Sequence, residues 1–180
     1  MEKNELNTLI GKGAEFEIND IEFRKKRILG FFRKRVPVPV TRKFKIEEPT
    51  LGTLDRLSAE FIDFEIDENS LNITDVMKTA RTLAGKHAIR CAKIIALAVM
   101  GSDYQIPTCN RNGIVRYVKD DKRLNELTAL FARTIKPSQL YQLYILINTM
   151  FNLGDFTNSI RLMSADRTTM PIRIEPSNGV

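Results

Sequence analysis

A chain of 180 residues, 43% hydrophobic and 28% charged, has enough apolar mass for a core of its own, which argues against disorder throughout. No apolar run reaches the roughly 20 residues of a membrane helix; the best candidate, Ile94 to Met100, is far too short. The net charge of +6 is unevenly spread: residues 24 to 45 hold ten Lys or Arg and no acid, leaving the remainder at −4, so an acidic body carries a basic segment suited to an anionic partner.

In chain order, residues 1–13 are polar and read as a loose start. From Glu15 to Arg24 apolar and charged residues alternate around Asn19-Asp20. This spacing predicts a β-hairpin with a two-residue turn at 19–20 and Phe16, Ile18, Ile21 and Phe23 on its buried face. The basic segment follows, and Val36-Pro37-Val38-Pro39-Val40 within it excludes a helix and a central strand, leaving an extended edge or arm that Thr41 to Ile46 continues.

From Pro49 the period becomes helical. Leu51, Leu54, Leu57 and Phe61 repeat behind Thr50, a cap candidate, and the acidic stretch Asp63–Asn69 interrupts the pattern. A long helix is expected from about Ile73 to Met100, with Val76, Met77, Ala80, Leu83, Ala84, His87, Ala88, Cys91, Ile94, Ile95 and Ala98 as its apolar stripe and Gly101 as its stop. Residues 102–119 read as loop or short strands, with a turn at Asn112-Gly113. Asp120 opens a helix carrying Leu124, Leu127, Leu130 and Phe131, and Pro137 the first turn of another, Ser138 to about Asn152. That helix is apolar on most sides, so it is either the central core helix or part of a partner interface. Gly154 is read as its stop and Asp155 as the cap of a last short helix with Phe156, Ile160, Leu162 and Met163. The tail 166–180 is extended, with an edge strand at 170–174.

Chemistry is sparse. The single histidine, His87, shares a helix face with Cys91, and Cys109 lies too far along the chain to complete a metal-binding spacing. Phosphate-binding, dinucleotide-binding, nucleophile-elbow and zinc-protease patterns are absent. A packed helix pair accounts for His87 and Cys91, and neither an enzyme nor a cofactor is expected. The two cysteines read as free thiols of a reducing compartment and the first residues lack a secretory pattern, so a cytoplasmic protein is expected. Arg24, Lys25, Lys26, Arg27, Arg33, Lys34 and Arg35, interleaved with Phe31 and Phe32, admit four readings: phosphate contacts with stacking on nucleic acid, docking to an acidic protein, an anionic membrane surface, or a solvated face over core phenylalanines. No helix-turn-helix or RNP pattern accompanies them.

Two stretches carry a family resemblance. Phe44-Lys45-Ile46-Glu47-Glu48-Pro49-Thr50-Leu51-Gly52-Thr53-Leu54 resembles the strand-then-helix opening of small phage tail assembly chaperones, and Leu140 to Leu162, with Gly154-Asp155-Phe156 and Ser159-Ile160, resembles their closing helices. The resemblance covers about a fifth of the chain. It implies a non-enzymatic phage or prophage protein, acting in the host cytoplasm, whose apolar helices hold a tape-measure-like or other tail protein. The basic segment departs from that family and leaves room for a virion structural protein or a nucleic-acid-binding accessory protein.

The expected fold is α+β and mostly helical: a helical bundle with a small N-terminal β element. Residues 1–48 form the hairpin and basic arm, 49–165 the helical core and 166–180 the tail, within one compact domain. Tyr141, Tyr144, Phe151 and Phe156 are the candidate partner-binding residues. The cations at 24–27 and 33–35 serve the nucleic-acid alternative. No membrane partner is expected, and self-association is compatible with the pattern.

Overall fold

The computed structural model describes residues 12–28, 32–62, 76–109, 113 and 115–165, with side chains at all of these except 26–28, 32–34, 76 and 165. Strand β1 (Ala14–Ile28) pairs with β2 (Phe32–Ile46) in an antiparallel ribbon. Helix α1 (Leu51–Ile62) and the long helix α2 (Val76–Met100) follow. A 3-10 turn (Gly101–Tyr104) leads to a small ribbon of β3 (Gln105–Cys109) and β4 (Val115–Lys119). Helices α3 (Asp121–Thr134), α4 (Pro137–Phe151) and α5 (Leu153–Ala165) close the described chain. The fold is α+β and mostly helical, as the periodicities predict. The acidic stretch at 63–69 and the edge strand expected at 170–174 lie outside the described residues.

The first ribbon is longer than the sequence reading allows. There is no turn at Asn19-Asp20: β1 runs straight through both, and each strand has 15 residues in continuous register from Ala14↔Ile46 to Ile28↔Phe32. This changes which side chains are buried. Successive strand residues alternate faces, so without a turn the even positions stay on one side. Ala14, Ile18 and Asp20 are buried, whereas Ile21 (56% exposed) and Phe23 (66% exposed) face outward, not into the core as expected. The two prolines fit because a regular antiparallel ladder requires an N–H from only every second residue. Pro37 and Pro39, two apart, fall in the class whose nitrogens turn away from β1.

The ribbon seats on the helices at its open end, with β1 against α3 and β2 against α2. Phe131 of α3, 1% exposed, meets the Phe44 ring edge-on at 5.0 Å and Phe16 at 6.1 Å, while Phe16 and Phe44 stack across the strands at 5.7 Å. Two residues along α3, Arg133 donates a short hydrogen bond to Asp20 Oδ1. Asp20 also accepts from Arg42 Nε at 2.9 Å and from its neighbour's amide, Ile21 N–H, at 2.7 Å. Burial alone would raise the Asp20 carboxyl; the amide and the two guanidinium groups outweigh it and hold the group below the usual carboxylate range.

The helical core centres on the second half of α2. Ala92, Ile94, Ile95, Ala96, Leu97, Ala98 and Met100 are all buried there, and small alanines let neighbouring helices approach closely. The first half differs from the expected stripe: Met77, Ala80, Ala84 and Ala88 are exposed. Gly101, with φ of 51°, stops the helix as predicted. Thr50 caps α1, accepting from Thr53 N–H at 3.4 Å, and Asp120 caps α3, accepting from Arg123 N–H at 3.0 Å. Glu60 of α1 takes both Lys93, in a short ion pair, and Arg90, at 3.8 Å, of α2.

The α4–α5 junction also departs from the prediction. Asn152, left-handed with φ of 45°, ends α4, and its carbonyl accepts the first amides of α5, from Asp155 and Phe156. Gly154 and Asp155 therefore lie inside α5 instead of serving as stop and cap; Asn tolerates the left-handed backbone and so takes the place of glycine.

Two predictions follow from the ribbon's seat. Phe131→Ala should destabilise the fold by about 3–5 kcal/mol, read as a fall in the denaturant midpoint. Asp20→Asn should cost less, about 1–3 kcal/mol, because the arginines it leaves are exposed enough to be solvated. A depressed folded-state pKa adds stability above the unfolded carboxyl's value, and that stability is lost as pH falls through it. Wild-type Tm should accordingly drop more steeply than that of Asp20→Asn on acidification below pH of about 4; parallel curves would refute the assignment.

Candidate functional site: an apolar cleft and an exposed helix stripe

α1, α2 and α4 do not close completely on one another. Between them lies a cleft of about 790 Å³ whose walls include Phe61, Ile94, Ile95, Leu140, Tyr141 and Tyr144, ending at Leu153, the first residue of α5. Phe61 organises one wall: its ring meets Tyr144 at 6.2 Å and Phe151 at 6.1 Å, both edge-on. Apolar surface dominates the lining, with Ser58 and Asn148 as polar exceptions besides the tyrosine hydroxyls. Such a cleft holds its occupant by desolvation and shape, with little capacity for directed proton transfer.

Apolar surface continues along α5. All of its described side chains are exposed, including Leu153, Phe156, Ile160 and Met163. These four recur at spacings of three, four and three, so they form one stripe of the helix, the pattern by which a helix meets another lying alongside it. A stripe of this kind left in water is unfavourable, and Leu153, which lines the cleft, is its first residue.

The four candidate partner-binding residues distribute over this surface. Tyr141 (67% exposed) and Tyr144 (51% exposed) line the cleft and remain open to solvent, Phe151 is a buried part of its wall, and Phe156 stands on the α5 stripe. Phe61 and Leu153 were not singled out from the sequence. For Leu153 a signal existed, because it extends the stripe back from Phe156, but reading Gly154 as a stop placed it outside the helix.

A scan against protein-family models matches none, and searches of curated proteins and of solved structures give no match either. The chemistry of the site therefore rests on the side chains themselves.

Cys91 lines the same cleft, half-buried, and burial pushes its thiol above the ordinary range, the opposite of an activated nucleophile. His87, one turn earlier, is also half-buried. Tyr104 is the most strongly shifted phenol: burial, then the hydrogen bond it donates to Asp121 at 2.6 Å, push it up to about 12, so it stays protonated. The Arg56 guanidinium lies over its ring, 5.0 Å from the centroid. Among the described residues no group of three His, Cys, Asp or Glu is placed to hold a metal ion, and none of the described helices is long and apolar enough to cross a membrane.

The basic candidates lie elsewhere. Arg24, Lys25, Lys26, Arg27, Arg33, Lys34 and Arg35 fall on the far half of the first ribbon, on opposing strands, and none lines the cleft.

The thiols provide a direct check on the cleft. At mildly alkaline pH, iodoacetamide should alkylate exposed Cys109 at least about tenfold faster than Cys91, whose thiolate fraction burial suppresses, as followed by mass spectrometry. Equal rates would mean that the cleft wall is open.

Proposed function

We propose that this chain is a non-enzymatic assembly factor of the tail-chaperone type, which holds an amphipathic helix of a protein partner against its apolar cleft and keeps that helix from self-association. One observation carries the reading: Leu153 belongs both to the lining of the cleft between α1, α2 and α4 and to the solvent-exposed heptad-like stripe of α5. A small ligand would need only the cleft and would leave the stripe unexplained. A helix laid along both would bury apolar positions at i, i+3, i+4 and i+7, as in helix-in-groove recognition. The partner-facing tyrosines suit this role, since a Tyr ring offers much contact area at little cost in conformational entropy. The resemblance of residues 44–54 and 140–162 to tail assembly chaperones points the same way, because those proteins hold a long helical tape-measure protein.

Co-expression with a tape-measure-type protein, a long amphipathic helix, tests the proposal. A complex that survives size exclusion is expected, and Tyr141→Glu and Phe156→Glu should each weaken it at least about tenfold, near 1.4 kcal/mol, without lowering Tm, since both side chains are exposed. Absence of a complex, or retention by both variants, would overturn the reading. So would a homodimer of the purified chain that forms through this face and is lost in Phe156→Glu.

A further inference from the structure

The far half of the β1–β2 ribbon is a second interaction surface, independent of the cleft. From Ile21 to Lys25 and from Arg35 to Thr41 no residue is buried, so this half is held to the helices by none of the core contacts that seat the near half. The eight residues beyond Asp20 in β1 extend it by about 25 Å. Chemistry changes along its length. Near the body, opposite charges face each other: Lys43 Nζ lies 2.9 Å from Glu17, and Arg42 reaches Glu22 at 3.0 Å. At the far end three successive pairs bring like charges together, Lys25↔Arg35, Lys26↔Lys34 and Arg27↔Arg33. From Phe23 to Lys45 there is no acidic residue to relieve them.

Directly opposed like charges destabilise an antiparallel ladder. Moreover, Lys25↔Arg35 and Arg27↔Arg33 share the parity of Pro37 and Pro39, which places them at the sites where facing residues approach most closely. A solvated charge run could have alternated sign, as the near half does; the register instead assigns six cations of the sequence to three consecutive rungs, a density of positive charge that an external polyanion would neutralise. The scaffold narrows the choice of polyanion. A two-stranded ribbon fits the major groove of B-form DNA, whereas the major groove of duplex RNA is too deep and narrow for side chains to read. Exposed Phe23 adds an apolar contact beside the cations.

We propose that this ribbon is a DNA-binding arm, lying in the major groove of a duplex with Lys25, Lys26, Arg27, Arg33, Lys34 and Arg35 neutralising phosphates along its edges. Contact is to the backbone and largely independent of sequence, as cation-to-phosphate contacts are.

Fluorescence anisotropy of a short labelled DNA duplex against the purified full chain tests this. Affinity should fall about a thousandfold between roughly 50 and 200 mM salt, as for about six phosphate contacts. The decisive variant reverses one strand, Lys25→Glu with Lys26→Glu and Arg27→Glu. Each opposed pair then carries opposite charges, so the ribbon should be as stable as wild type or more so, while DNA affinity drops at least about a hundredfold. Should that variant fail to fold, Lys25→Gln with Arg35→Gln, both exposed positions, should weaken binding about tenfold and flatten the logarithmic salt slope by about two. Wild-type-like binding by the variants, a flat salt response, or equal or tighter binding to duplex RNA or to phosphatidylserine vesicles would each overturn the assignment.

Discussion

The structure depends on how a hairpin of two 15-residue strands is fastened to a helix. A two-stranded ribbon is marginal in water by itself, and this one meets α3 through two side chains two positions apart. Phe131 packs against the stacked pair of Phe16 and Phe44 from opposite strands, and Arg133 reaches Asp20 beside Arg42. The first contact is dry and supplies most of the burial. The second is directional and fixes register, since a slip of one residue would turn Asp20 to the solvent face and bring Asn19 or Ile21 under Arg133. Burying a carboxylate is unfavourable in isolation; with two guanidinium groups and an amide around it, the group stays ionised and acts as a locator more than as a source of net stability.

The same division between packed and unpacked halves recurs in the helices. α2 is buried nearly all round in its last turns and largely exposed in its first, so it anchors the body at one end only. α1 crosses it with Leu54 and Leu57 buried and Glu60 in ion pairs, and α4 contributes Leu143, Ile147, Met150 and Phe151 to the core while its tyrosines face out. The cleft is the gap these three leave. Its aromatic wall is rigid because Phe61 holds Tyr144 and Phe151 in edge-on contacts, so an entering helix would meet a preformed surface and lose little to reorganisation.

Helix periodicity was legible in the sequence almost throughout. Thr50, Asp120, Pro137 and Gly101 each mark a boundary by a local mechanism, capping or a fixed backbone angle, that tertiary context did not override. Failures came where two residues of similar chemistry compete. Asn19-Asp20 has the composition of a turn, yet Asp20 is recruited by Arg42 and Arg133, 22 and 113 positions away, and nothing local announces partners so distant. Gly154 has the composition of a stop, yet Asn152 reaches the left-handed conformation first. The apolar stripe of α2 was sound as a pattern but silent about coverage: periodicity tells which side a helix offers, whereas burial depends on whether another element arrives there. The candidate site was half legible for that reason. Tyr141 and Tyr144 were identifiable as apolar residues of an over-apolar helix, but the cleft depends on how α1, α2 and α4 come together, which periodicity does not report.

Length and charge in the ribbon now make one argument. Its far rungs oppose cation to cation and weaken the ladder, so strand pairing there must be sustained by the near half, where Phe16, Phe44 and Ile18 are packed and charges are matched. A shorter hairpin would lack the anchored rungs, and a hairpin with alternating charge at its tip would need no such anchor. Coupling follows from this arrangement. Whatever neutralises the tip removes the repulsion and stabilises the whole ribbon, and any change that loosens Asp20 or Phe131 enough to let the tip fray lowers its apparent affinity for an anion in proportion to the ordered fraction lost. Residues that touch no ligand, Phe131 and Arg133 on α3, thereby set how well the arm can hold one.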